Sequence, residues 1–272
     1  MAVPLYNDAN YTVLLPADGS DRMMFDGHLR ILGARPPRLG PGEIACAKAP
    51  DFRIVPREEW PDLIAQKDRE QSWIEDLIRG VIPCNDQNGL NYCHGYGMAM
   101  AMQVARCIQG HGYTELSAES IAGPVTNWRN DGADPSDDLQ QAVKFGACPA
   151  SYMDAPYSRT PRRWKDGWEE SALDYRVEEW VDLRGRNSFD LAVSACFANI
   201  ASACGFIWWA HFVSGYYRVV NLGKDRRGNY RFAGRIRNNW GAQWGNDGFA
   251  DFEEGKGTPD WAFGVRAMIA QD

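Results

Sequence analysis

Apolar residues recur at helical intervals in the first half of this chain and in strand-like runs in the second. Between residues 66 and 79, Trp73, Ile74, Leu77 and Ile78 share helical spacing. Residues 92–109 give the clearest helix. Ala99, Met100, Ala101, Met102, Val104, Ala105 and Ile108 make it apolar nearly all round, which predicts a buried central helix. Gly110 and Gly112 stop it. Ser117 is placed to cap another helix, 137–145 is amphipathic up to Gly146, and 187–202 reads as helix from an Asn187 or Ser188 cap. After Ala203 the texture changes. Residues 206–213, 216–220 and 230–233 are aromatic and β-branched, which predicts strands, with a turn over 224–229. Helices first and strands later predict an α+β fold, not alternating βαβ units.

Residues 1–51 differ from the rest. They hold short apolar pieces and, over 33–42, a Pro/Gly-rich run that is extended or turning. The expected organisation is an irregular N-terminal arm with one or two strands, 1–51, ahead of a single domain, 52–272. A chain of 272 residues is long enough to bury a substantial core. The net charge of −7 and the absence of a basic stripe interleaved with aromatics argue against a nucleic-acid partner. The basic cluster at 159–165 carries proline and reads as an exposed loop. No apolar run approaches the ~18 residues of a spanning helix, so no membrane partner is expected. The first residues lack a basic stretch followed by an apolar core, so no secretory signal is read. The cysteines are Cys46, Cys84, Cys93, Cys107, Cys148, Cys196 and Cys204. An odd count without a signal suggests reduced thiols and a cytoplasmic location.

One cysteine stands apart. Cys93 opens the central helix behind the polar turn 86–91. Unsatisfied N–H groups and positive potential at a helix N-terminus favour thiolate over thiol. A thiolate at neutral pH needs a partner, usually histidine. His28 lies in the arm, His94 neighbours Cys93 on the same helix, and His111 lies near that helix's far end. His211, in the strand-rich half, is the remaining candidate. Taken alone it reads more readily as a structural histidine in an aromatic strand.

The segment 235–249, Arg-Ile-Arg-Asn-Asn-Trp-Gly-Ala-Gln-Trp-Gly-Asn-Asp-Gly-Phe, resembles the Asn-Ser-Trp-Gly…Trp-Gly-x-x-Gly-Tyr stretch of papain-like cysteine peptidases. Both Trp-Gly pairs and the following glycine agree. Other pieces then fall in family order. Gln87 precedes Cys93 by six residues (93 − 87), Leu116-Ser117-Ala118-Glu119 is similar to the family's Leu-Ser helix start, and 131–139 resembles its Asn-Gly-Gly stretch. The resemblance covers about 52–272. It implies a helical half containing the central helix, a β-barrel-like half, and a cleft between them. It implies Cys93 as nucleophile, His211 as base, Asn238 holding the imidazole, and Gln87 with the Cys93 N–H as oxyanion donors. An oxyanion donor is typically worth about 3 kcal/mol of transition-state stabilisation. It further implies Gly132 and Ala133 as backbone partners of a peptide. Trp240 is expected to shield the Asn–His bond, and Trp244 to shape the leaving-group side. Ala210, behind Trp208 and Trp209, is expected in an uncharged pocket.

The match departs from the family at the nucleophile. Leu90 replaces a disulfide cysteine, Asn91 and Tyr92 replace small residues, and His94, read as a surface residue, replaces a tryptophan. Ala133 replaces the second glycine, and 1–51 shows no helical prosegment. The expectation is a thiol peptidase acting on peptides or proteins without cofactor or metal. The alternatives are a weak or inactive papain-fold protein of a microbial or viral assembly, docked through the arm, or another thiol acyl transferase or isopeptide hydrolase.

Overall fold

The computed structural model describes residues 2–41 and 50–269. Gly42 and Cys46 lie outside the described residues. The helices are α1 (Trp60–Glu70), α2 (Ile74–Ile78), α3 (Cys93–Ile108), α4 (Ala118–Thr126), α5 (Pro135–Lys144), α6 (Trp168–Leu173), α7 (Ser188–Phe197) and α8 (Glu254–Gly257). The strands are β1 (Leu5–Tyr6), β2 (Arg22–Phe25), β3 (His28–Ile31), β4 (Val177–Asp182), β5 (Ala201–Phe206), β6 (His211–Lys224), β7 (Tyr230–Arg237), β8 (Phe249–Glu253) and β9 (Trp261–Met268). The architecture is α+β. A seven-stranded sheet runs in the order β1-β8-β7-β6-β5-β9-β4, and β2 and β3 form a separate hairpin. The expected barrel does not close: β1 and β4 end the sheet, with no pairing between them among the described residues. No helix among these residues is long and apolar enough to cross a membrane.

Helix α3 is buried from Cys93 to Arg106, as its all-round apolar sequence requires. Its glycines set how closely it packs. A Cβ on Gly97 would lie 2.7 Å from the Phe212 ring and 3.1 Å from the Val213 backbone; one on Gly95 would lie 2.7 Å from Ala122 of α4. The start of α3 therefore sits directly against the start of β6. The Ser117 cap is present, its Oγ accepting from Ser120 N–H at 3.1 Å. Three expected elements differ. The helix over 66–79 is broken at Gln71, which takes a left-handed φ of 50° and separates α1 from α2. The helix from Ser188 ends at Phe197, so that 201–206 joins the sheet as β5. The strand over 206–213 is interrupted by a 3-10 turn, Ile207–Trp209, followed by Ala210 at φ 48°.

Residues 2–41 wrap the strand-rich half. β1 adds to β8 in parallel, pairing Leu5 with Asp251 and Tyr6 with Phe252. Tyr11 packs edge-on against Trp208, with Lys256 over its ring. The hairpin β2–β3 then delivers the chain to the cleft.

Candidate functional site

The candidate residues converge from three elements. Cys93 comes from the first turn of α3, His211 from the first position of β6, and Asn238 from the loop after β7. All three are buried. His211 Nε2 lies 2.8 Å from Asn238 Oδ1. The direction of that bond follows from a neighbour. Asn239 N–H donates to the same Oδ1 at 2.8 Å, so this atom is the amide oxygen and an acceptor. Nε2 must then carry the ring proton. His211 Nδ1 is left as a lone pair, with no hydrogen-bond partner among the described residues. Trp209 and Trp240 flank the imidazole at centroid distances of 4.5 and 5.0 Å, and keep water from the His–Asn bond.

Asn239 is a residue that sequence reasoning passed over. Its Nδ2 donates to the Cys93 carbonyl at 3.1 Å and to the Phe212 carbonyl at 3.4 Å, joining the first turn of α3 to β6. Nothing in its type or position among the family-like residues singled it out. Gln87 is fixed by its own backbone: its N–H donates to the Asn239 carbonyl at 2.8 Å, and Gly241 N–H donates to the Asn85 carbonyl at 2.9 Å. Gln87 Nε2 donates to the Leu90 carbonyl at 2.7 Å and, more weakly, to the Ile31 carbonyl at 3.4 Å.

Ile31 belongs to the arm, and residues 30–35 fill the space between the two halves. Ala34 N–H donates to the Ala210 carbonyl at 3.0 Å, and Arg35 N–H to the Ala133 carbonyl at 2.9 Å. Ala34 and Ala133 form a parallel bridge. The Ala210 backbone, left-handed at φ 48°, is a strained conformation for a residue with a Cβ. The fit is tight at Gly33, where a Cβ would fall 1.7 Å from Asn91 Oδ1, and at Gly132, where one would fall 2.0 Å from the Gly33 carbonyl oxygen. The peptide-binding positions expected from sequence, Gly132, Ala133 and Ala210, are thus all met by the protein's own chain.

Burial controls the protonation states. It pushes the Cys93 thiol up to about 11, although backbone N–H groups of Phe212, Gly33 and His94 pull it back. Burial also pushes His211 down to about 4, against the Asn238 and Asn239 side chains, which raise it, and with help from the Arg30 charge. With the arm in place, the Cys93 thiol and the His211 imidazole are both neutral at pH 7. The sulfur also meets the Gly33 N–H, whereas Gln87 reaches the Ile31 carbonyl. Cys93 and Gln87 thus address different peptide units of the arm.

His94 corrects an expectation. It is fully buried, not at the surface: Nδ1 lies 2.7 Å from Asp138 Oδ2 of α5, and Nε2 lies 3.4 Å from the Asp131 carbonyl. Burial disfavours the charged ring, but Asp138, by charge and hydrogen bond, outweighs it and raises the imidazole above its ordinary value. Tyr92 likewise turns inward, its hydroxyl donating to the Arg129 carbonyl at 2.8 Å. Trp209 packs on His211, Trp240 and Trp244 instead of lining a pocket. Trp244 is buried under Tyr6 and does not reach the cleft surface.

No protein-family model matches this chain, and no curated protein matches it. Solved structures do. Xylellain, a cysteine protease from Xylella fastidiosa, aligns with a TM-score of 0.53 at 14% identity, over 86% of this chain and 95% of that one. The Amb a 11 cysteine protease, a ragweed pollen allergen, aligns in its proform with a TM-score of 0.51 at 18% identity, over 71% of this chain and 64% of that one. Procathepsin B S9 from Trypanosoma congolense aligns with a TM-score of 0.50 at 14% identity, over 88% of this chain and 86% of that one. These three share less than a fifth of their residues with it, and what is common to them is the backbone. The chain has the papain-like cysteine protease fold.

Proposed function

We propose that this protein is a thiol peptidase held latent by residues 30–35. Cys93 attacks the scissile carbonyl, His211 Nδ1 takes the thiol proton and returns it to the leaving amine, and Asn238 holds the ring. Gln87 Nε2 and the Cys93 N–H stabilise the oxyanion. The single observation that carries this reading is the fixed tautomer of His211. An imidazole whose Nε2 proton is committed to Asn238, and whose Nδ1 lone pair has no partner among the described residues, is built to accept a proton at Nδ1. A structural histidine would have both nitrogens satisfied. The second reading, an inactive papain-fold assembly protein, is favoured by the closed cleft and the complete burial of Cys93.

A peptide-library cleavage assay separates them. The Gly33→Val substitution forces a side chain against Asn91 and expels the arm, because even a Cβ there meets Asn91 Oδ1 at 1.7 Å. The full-length variant is expected to cleave peptides, and Gly33→Val combined with Cys93→Ala is expected not to. Equal turnover by both chains, or none by either once the cleft is open, contradicts the peptidase reading.

A further inference from the structure

Beyond blocking the cleft, the arm reveals a side-chain subsite. Arg30 is almost completely buried, and its guanidinium pairs with both carboxylate oxygens of Asp86. Nη2 also donates to the Trp240 carbonyl at 3.2 Å, and Nη1 to the Asn88 carbonyl at 3.4 Å. One carboxylate and two carbonyls therefore surround one planar cation. A forked donor set matches this geometry and a lysine ammonium does not.

The acceptors are held without help from Arg30. Asp86 Oδ1 accepts from Asn88 N–H at 2.7 Å. Asp86 pairs with Trp240 in an isolated β-bridge, and the flanking bonds Gln87 N–H to Asn239 and Gly241 N–H to Asn85 tie the two loops together. When the arm leaves, the acceptors remain in place and the Asp86 charge loses its partner. The site lies beyond Gln87, on the side of Cys93 away from Ala133 and Ala210. Arg30 stands three positions before Gly33, which meets the sulfur. Extended chain spans about 10 Å over that distance.

We infer that Asp86, with the Asn88 and Trp240 carbonyls, is a guanidinium subsite that selects peptide substrates carrying arginine at the second or third residue after the scissile bond. Arg30 occupies the subsite in the closed protein. This rests on the peptidase reading, in which Gln87 and Cys93 stand between the subsite and the peptide-binding positions Ala133 and Ala210.

The first test needs no catalysis. Full-length Arg30→Ala empties the subsite, and its binding of methylguanidinium is compared with that of the neutral isostere methylurea by calorimetry. Methylguanidinium is expected to bind at least about tenfold more tightly, and Asp86→Asn in the same chain to abolish the difference. Discrimination below twofold, or discrimination that survives Asp86→Asn, overturns the subsite. Arg30→Met, which keeps the aliphatic stem, substitutes if Arg30→Ala does not fold. The second test profiles cleavage by full-length Gly33→Val. Arginine enriched at the second or third leaving-group residue is the expected result, and a flat profile there overturns the role in substrate choice even if the ion binds. Absence of all cleavage counts against the peptidase reading, while the methylguanidinium result still decides the subsite.

Discussion

At the scale of single residues, the site turns on two adjacent asparagines with different tasks. Asn238 Oδ1 accepts from His211 Nε2 and from the Asn239 backbone, which commits the histidine tautomer. Asn239 spends its amide on carbonyls of α3 and β6, which sets the seating of Cys93 against the start of β6. Removing the first acceptor frees the ring to rotate and to place its proton on the wrong nitrogen. Asn238→Ala, in a chain opened by Gly33→Val, is therefore expected to lower kcat/KM on peptides by at least about tenfold, with KM little changed. Steady-state kinetics on the two opened chains checks this. An unchanged kcat would mean that the tautomer is fixed by something other than Asn238.

Between elements, the buried His94–Asp138 pair joins α3 to α5 at the residue next to Cys93. Losing one partner strands the other in a site without water, at a typical cost of about 3 kcal/mol or more. Asp138→Ala is expected to lower unfolding free energy by about that amount in denaturant titration; a change below about 1 kcal/mol would show that the pair is energetically idle. The pair also marks where sequence reading stops. The α3 and α5 patterns, the Ser117 cap and the ordered Gln87, Cys93, His211 and Asn238 were legible because periodicity and motif order are local properties. His94 was misread because polarity suggests exposure, and only a tertiary partner on another helix makes a buried imidazole tolerable. The break of the 66–79 helix at Gln71, and the turn that ends in a left-handed Ala210, were invisible because neither residue is a glycine. The course of 30–35 through the cleft was illegible for a related reason. Arg30, Gly33 and Ala34 have no pattern of their own, and their meaning lies in the carbonyls they meet.

Over the whole molecule, the arm is one continuous brace with two kinds of attachment. β1 extends the sheet through β8, and 30–35 bridges the halves at Ala210, Ala133 and Asp86. Closure and protonation are coupled through His211. Its pKa is depressed to about 4 from an ordinary 6.5. The less buried states bind its proton first, so this contribution to stability is complete above about 6.5 and is lost as pH falls through about 4. At full extent it amounts to about 3 kcal/mol. Denaturant titrations at pH 7 and pH 4.5 should show His211→Gln losing less stability on acidification than the native chain; an equal loss would assign the acid sensitivity to other groups. The central claim is that Cys93 is an activated thiol kept shut by the arm, and residue-resolved alkylation by iodoacetamide near neutral pH tests it most directly. In the native chain Cys93 is expected to react more slowly than the half-buried Cys107. In full-length Gly33→Val it is expected to become the fastest thiol, and His211→Ala is expected to remove that advantage. A Cys93 that reacts no faster than the other cysteines once residues 30–35 have been released would contradict the account.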